Sequence, residues 1–396
     1  MRIAPSLLFV PAYENLSDVL LAFGEEVPFS SFATDNDESV QFLSGLDPYP
    51  NKPRITFKND GTFKITVFSD LHFGENPWDD WGPVQDANSL KLMRTVLPSE
   101  RPDYVVINGD LITGENTFRE NSTSLIDEIM GPINEAKIPF SSTQGNHDNQ
   151  VNITHLEEIQ RELRVAPMSY TRTAPKGVGG AGGEGNYWVP VYYSVHDKVP
   201  ALILWFFDSR GGFSPGKNSQ QVDDWVDESV ARWLERETRI MNDAWGPAEA
   251  RQALAFVHIP PHAIQAVQAT LDPDTNPGLD ADTLGGGSTQ ATVDSNDLGN
   301  DEVWWSALTK NVKNLRAIVS GHDHGNEWCA REPKADVIFC FDKHSGYGGY
   351  GDRSWGFGVR NFVFNSPKPE APLETWIRLE SGVTRAKVLL DSNFDV

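Results

Sequence analysis

The chain has 396 residues, 39% of them hydrophobic and 11% aromatic, enough apolar material for a large core and too much for a disordered chain. With 56 acidic against 33 basic residues the net charge is −23, which disfavours a nucleic-acid polymer or an anionic membrane as partner. No apolar stretch approaches the roughly 20 residues of a spanning helix, so the chain reads as soluble.

Residues 1–12 join a basic start to a short apolar run that Pro5 interrupts, and sequons stand at Asn15, Asn121 and Asn152. Together they leave both the cytoplasm and secretion or a vacuole open. Residues 1–60 show no helical or strand period and are dense in Pro, Ser, Asp and Asn, the mark of an N-terminal extension. A main domain follows over 61–367. Short apolar runs at 63–69, 104–107, 139–143, 202–207, 254–257 and 317–319 each stop abruptly in polar residues, as strands buried on both faces do. Between them, Thr154 and Glu157 match a capping box that opens one helix. Val226, Val230, Trp233, Ile240 and Ala244, with Glu237 among them, fall near one face of a helix over about 222–245. Strand alternating with helix indicates an α/β fold with both sheet faces covered. The Gly-rich stretch 176–185 and the polar stretch 272–301 read as surface-loop insertions. The acids Asp272, Asp274, Asp280 and Asp282 do not form a calcium loop, because Pro277 and Thr283 stand where its turn glycine and bidentate Glu belong. Residues 368–396 form a C-terminal segment able to pack on the main domain. Cys329 and Cys340 flank a turn-like stretch and are either buried thiols or, in an oxidising compartment, a disulfide across a hairpin.

Five polar clusters stand where these strands end: Asp70-Leu71-His72, Gly109-Asp110, Gly145-Asn146-His147-Asp148, His258, and Gly321-His322-Asp323-His324. The carboxyl ends of strands in an open α/β sheet converge on a crevice, so these residues can meet in one site. Each cluster alone is a weak signal, but five in succession are not a coincidence. Gly109, Gly145 and Gly321 permit tight bends and close approach. Imidazole, carboxylate and amide donors without thiolates suit Mn, Zn or Fe rather than a structural zinc knot. Seven ligands exceed what one ion needs and fit a dinuclear centre with a bridging carboxylate.

In these blocks the chain resembles the calcineurin-like metallophosphoesterase superfamily, whose signature is Asp-x-His, Gly-Asp, Gly-Asn-His-Asp/Glu, a lone His, and Gly-His-x-His in this order. The resemblance spans roughly residues 61–366 and implies a four-layer αββα sandwich of two mixed sheets flanked by helices. It implies that Asp70, His72 and His324 hold one metal, that Asn146, His258 and His322 hold the other, and that Asp110 bridges them. It also implies that His147 contacts the phosphate or leaving group while Asp148 orients its ring. Purple acid phosphatases, a related branch, have Asp-x-Gly in the first block and a Tyr ligand where Thr113 stands here, so a Tyr–iron bond is unsupported. The block Gly109-Asp110-Leu111-Ile112-Thr113-Gly114-Glu115-Asn116 looks like that of a fungal and plant purple-acid-phosphatase-like group that includes a yeast cell-cycle regulatory phosphatase.

The expected activity is hydrolysis of a phosphate ester, small or carried on a phosphoprotein, with monoesters preferred. A metal-activated hydroxide would attack phosphorus and His147 would serve as general acid. A phosphodiesterase or nucleotide hydrolase at the same site, and a non-catalytic scaffold of the same fold, are the alternatives. Arg210, just past the run 202–207, and His344, in a Gly-rich turn, are candidate substrate contacts, because cationic side chains at strand ends can clamp phosphate oxygens.

Overall fold

The computed structural model describes residues 46–290 and 299–396; the features at residues 1–12 and Asn15 lie outside them. In chain order the strands are β1 (Ile55–Thr56), β2 (Phe63–Phe68), β3 (Tyr104–Asn108), β4 (Phe140–Thr143), β5 (Tyr187–Tyr192), β6 (Leu202–Phe207), β7 (Gln252–Val257), β8 (Leu315–Ser320), β9 (Cys329–Glu332), β10 (Val337–Phe341), β11 (Gly358–Phe364), β12 (Leu373–Leu379) and β13 (Thr384–Leu390). The helices are α1 (Trp81–Glu100), α2 (Ser124–Ala136), α3 (His155–Val165), α4 (Glu228–Trp245), α5 (Ile264–Val267) and α6 (Glu302–Asn311). One sheet runs β1-β5-β6-β7-β8-β10-β9 and the other β13-β12-β11-β2-β3-β4. The central strands β6, β7, β8 and β10 of the first sheet, and β2, β3 and β4 of the second, pair in parallel. Antiparallel strands complete both sheets.

The period of two along each strand sorts side chains into layers. Leu202, Leu204 and Phe206 of β6 join Phe63, Ile65 and Val67 of β2 in a core between the two sheets. Their alternates Ile203, Trp205 and Phe207 pack instead with Val230, Trp233 and Leu234 of α4 and Trp304 of α6. On the far side, Val105 and Ile107 of β3 meet Leu92 and Val96 of α1 and Ile129 and Ile133 of α2. Helices, sheet, sheet and helices thus form the four-layer α/β sandwich, with strands apolar on both faces because both faces are covered.

Four details differ from the sequence reading. The stretch before residue 60 supplies β1, paired with β5, and the buried Ile55 and Phe57. The C-terminal segment supplies β12 and β13, two full strands of the second sheet. Helix α4 begins at Glu228 with Asp227 as its cap; Val226 is buried but precedes it, because an apolar residue at helical spacing can pack from a loop equally well. Of the 272–301 insertion, residues 291–298 lie outside the described ones, and the described part is not simply a surface loop, since Asn276, Thr289 and Gln290 are buried. Thr154 does form its capping box with Glu157. Cys329 and Cys340 are register partners across the β9–β10 hairpin and are disulfide-bonded. No helix among the described residues is long and apolar enough to cross a membrane.

Candidate metal centre

Parallel strands β2, β3, β4, β7 and β8 all deliver their last residues to the same end of the two sheets, and the five polar blocks follow them directly. The chain continues to pair beyond the strands: the amides of Asp70 and His72 donate to the carbonyls of Gly109 and Asp110. Asp70, His72, Asp110 and His322 have positive φ of 53, 49, 48 and 75°, so the ligands themselves take the left-handed bend. Such conformations cost energy in non-glycine residues and persist where surrounding structure enforces them. Gly145 and Gly321 serve a different purpose. A Cβ at Gly145 would run into the Asp110 carboxylate, and one at Gly321 into Ser69 and Asp70.

The side chains assemble into three overlapping groups able to hold a cation: Asp70, His72 and His324; Asp110, His258 and His322; and His72, Asp110 and His147. Asp110 Oδ2 lies 3.0 Å from His258 Nε2 and 3.7 Å from His72 Nε2, between the first two groups, where a bridging oxygen belongs. Asp70 Oδ1 lies 3.4 Å from His324 Nε2. Asn146 Oδ1 is buried and has no hydrogen-bond partner among the described residues.

Hydrogen bonds at the rear of each ring fix its tautomer. His258 Nδ1 donates to the Asn108 carbonyl (2.8 Å) and His324 Nδ1 to that of Tyr350 (2.5 Å). His72 Nδ1 pairs with Thr113 Oγ1 (3.1 Å), and His322 Nε2 donates to the Gly287 carbonyl (2.8 Å). Nε2 of His72, His258 and His324 and Nδ1 of His322 are the ring atoms left to face the centre, and the Nε2 atoms of His72 and His324 are 3.3 Å apart. Burial and neighbouring imidazoles hold His72 down to about 3, and burial and His258 hold His322 down to about 4, despite the carboxylates nearby. Burial opposes charge on His258 as well, yet Asp110 and Asp70 lift it to about 10; the pull that draws a proton there draws a cation equally. Burial would raise Asp110, but His258, His147 and His72 keep it well below the carboxylate range. A buried set of N and O donors with one orphaned amide oxygen fits a pair of transition-metal ions.

His147 sits at the edge, its ring centroid 4.9 Å from that of His72. Its partner is not Asp148. The buried Asp148 carboxylate accepts from the amides of Ile112 (2.9 Å) and Gly145 (2.8 Å), so it ties the loop after β4 to the loop after β3, and burial with Asp110 lifts it to about 7. The ring faces Glu115 instead, whose Oε1 lies 2.6 Å from His147 Nδ1 as an ion pair without hydrogen-bond geometry. Burial works against a charged His147, but Asp110 and Glu115 outweigh it and raise the ring to about 9.

The two expected substrate contacts are occupied otherwise. Arg210 is buried, donates to the Trp225 carbonyl (2.7 Å) and faces Asp223 (3.4 Å) and Asp227 (3.7 Å), so its charge is matched by loop carboxylates. His344 is also buried. It stacks on His324 at 4.0 Å, and its Nε2 pairs with the Gly348 carbonyl (3.0 Å), while burial and His324 hold it well below its usual value. It is a neutral wall behind a ligand. Sequence reasoning passed over Glu115, which lies in the block after Asp110 but carries no spacing that marks it. It also passed over His155, whose Nε2 donates to the Gly145 carbonyl (2.8 Å) and whose Nδ1 faces Asp208 Oδ2 (2.9 Å), bracing the Asn146 loop from behind.

The calcineurin-like phosphoesterase family model matches residues 63–326 of this chain. Probable inactive purple acid phosphatase 28 of Arabidopsis thaliana is 29% identical, the match covering 77% of this chain and 76% of the plant protein. Phosphatase DCR2 of Saccharomyces cerevisiae is 26% identical over 70% of this chain, which spans about half (47%) of the yeast protein. A dimetal phosphatase from Danio rerio of known crystal structure superposes with a TM-score of 0.48 at 12% identity, covering 84% of this chain and 100% of that one.

Proposed function

We propose, because this chain belongs to the calcineurin-like phosphoesterase family, that it hydrolyses phosphate esters at the Asp70–His324 cluster and that monoesters are its better substrates. The observation that carries this reading is Asp110 Oδ2, within 3.0 Å of His258 and 3.7 Å of His72, so that one carboxylate serves two ligand groups. Asp70, His72 and His324 would hold one cation and Asn146, His258 and His322 the other, as Mn, Zn or Fe. When bound, such a pair would supply Lewis acidity, neutralising phosphoryl oxygens and lowering the pKa of a water molecule.

The chain's own residues do the rest. Asp70 and Asp110 are oriented before substrate arrives, Asp70 by Ser69 Oγ (2.6 Å) and the His322 amide (3.1 Å), Asp110 by the His147 amide (2.8 Å); oriented groups of this kind do not reorganise during reaction. His147 would give a proton to the leaving oxygen, with Glu115 beside Nδ1 favouring the charged ring. Asp110 is shared with the cations, so Glu115 is the partner left to His147. The word inactive in the plant relative's name belongs to that protein. A scaffold would have no use for the intact ligand set, the orphaned Asn146 oxygen and the Glu115–His147 pair present here. The test is turnover of p-nitrophenyl phosphate and bis-p-nitrophenyl phosphate by protein reconstituted separately with Mn, Zn and Fe. Monoester turnover with at least one metal supports the reading, and no turnover with any metal would leave the scaffold.

A further inference from the structure

Six aromatic side chains are exposed among the described residues: Trp78, Trp81, Phe118, Tyr193, Phe213 and Tyr350. Trp78 (61% exposed) and Trp81 follow the Asp70–His72 block, Phe118 (52%) follows the Asp110 block, Phe213 follows β6, and Tyr350 lies in the loop after β10. Only Tyr193, on the β5–β6 hairpin, lies elsewhere. The loops bearing the other five are laced side by side around the metal ligands. The Thr113 amide donates to Phe73 O (2.9 Å), Gly114 to His147 O (3.0 Å) and Phe213 to Asn149 O (2.8 Å), and Gly349 donates to the Glu75 carboxylate. Tyr350 lies flat against His324 itself, at 4.1 Å and 10°.

Large aromatics left in water forgo a sizeable burial energy, and several together around a site mark an interaction surface. The charges on these loops say what fits. Asp79, Asp80, Glu115, Glu120 and Asp352 are exposed and outnumber the exposed Lys217 and Arg353, whereas Arg119 forms a bidentate pair with Glu157. An apolar rim with an acidic surplus repels anionic lipid and nucleic-acid surfaces and attracts a segment that is both apolar and basic. We infer that the aromatic rim formed by Trp78, Trp81, Phe118, Phe213 and Tyr350 docks a phosphorylated segment of a protein substrate in which apolar and basic residues flank the phosphorylated side chain. This rests on the hydrolase reading above and adds the substrate class to it.

The test compares two phosphoserine peptides of equal length, one flanked by Leu, Phe and Arg and the other by Gly and Asp, with p-nitrophenyl phosphate as the rimless substrate. The metal-reconstituted wild type should favour the apolar-basic peptide at least tenfold in kcat/KM. The double variant Trp78→Ser/Phe118→Ser should lose that preference, mainly through KM, and keep its rate on p-nitrophenyl phosphate; Tyr193→Ser should change neither. Equal use of both peptides by the wild type, or an equal loss on peptide and p-nitrophenyl phosphate, would overturn the docking surface. Fluorescence anisotropy of the same two peptides, labelled and carrying a non-hydrolysable phosphonate, separates this inference from the hydrolase reading. Preferential binding of the apolar-basic peptide that the double variant loses supports the rim even if no ester is turned over. Flotation with phosphatidylcholine/phosphatidylserine vesicles that the double variant abolishes would overturn it in favour of a lipid surface.

Discussion

Asp110 and His147 stand a few ångströms apart but carry different expectations. Asp110 supplies the charge shared by both ligand groups, so Asp110→Asn should lower bound metal, read by elemental analysis, and abolish turnover. His147→Ala should retain the metals and lose most turnover, about 10²–10⁴-fold for a positioned proton donor; loss of metal as well would make His147 a ligand, as its place beside His72 and Asp110 also permits. Glu115 has its own signature. If it acts through His147, Glu115→Gln should slow substrates with poor leaving groups, such as alkyl phosphates, far more than p-nitrophenyl phosphate, whose leaving group needs no proton; Glu115→Asp should restore part of the difference. Equal loss on both substrates would reduce Glu115 to a structural neighbour. The convergence of the seven proposed ligands on one place was legible in the sequence because each stands in a short block at a strand end. Glu115 and Thr113 were not legible in their roles, because a contact with a histidine from another block depends on how two loops meet, which no spacing records. Asp148 was misread for the same reason: its neighbour in sequence is His147, yet its carboxylate turns away to the Ile112 and Gly145 amides.

At the scale of elements, the loop carrying Asn146 is supported by α3. The ion pair of His155 with Asp208 is fully buried, so His155→Ala takes the charged partner from Asp208, leaving it with the Gly185 and Arg210 amides, and should cost about 3–5 kcal/mol in urea melts. The pH dependence follows from the direction of the shift. Burial opposes a charged His155, but Asp208 prevails and raises it from 6.5 to about 9. Its stabilisation is therefore fully present below about pH 6.5 and lost as the pH rises through about 9, so the gap between wild type and His155→Ala should narrow over that window. Asp148 also faces this ring and is itself lowered by the ring's charge, so the gap includes a share from Asp148 as well as from Asp208. A gap independent of pH would contradict the pair. The β9–β10 disulfide closes a short loop, and Cys329→Ser/Cys340→Ser should destabilise by about 2–3 kcal/mol, with non-reducing mass spectrometry of the wild type reporting no free thiol. The interior strands could be read because they are apolar on both faces. Strands β12 and β13 escaped because alternating residues such as those of Leu373–Leu379 follow a polar stretch with no other marker, and the start of α4 slipped because Val226 packs on the same core from the preceding loop.

For the whole molecule, the four layers follow from apolar strands between helices, but the order of strands across two sheets does not, since pairings such as β2 with β11 join segments far apart in sequence. The charge of −23 is a property of the entire chain, and it acts on substrates before any residue of the site does. A monoester dianion approaching this field is repelled more than a diester monoanion, until it comes within reach of the cations that the cluster would hold. At physiological salt the field is screened over about 8 Å, and at 0.01 M it reaches about 30 Å. Once in the proposed site, a monoester would present one more negative charge and three non-bridging oxygens to the cation pair and His147, so its transition state would gain more. The two effects separate by ionic strength. At physiological salt kcat/KM for p-nitrophenyl phosphate should exceed that for bis-p-nitrophenyl phosphate with the same metal and pH, and lowering the salt towards 0.01 M should shrink the ratio by slowing the dianion. A tenfold preference for the diester at physiological salt, about 1.4 kcal/mol in the transition state, would instead make the chain a phosphodiesterase. A ratio that grows as salt falls would mean that the cations, rather than the net charge, set the field at the mouth of the site.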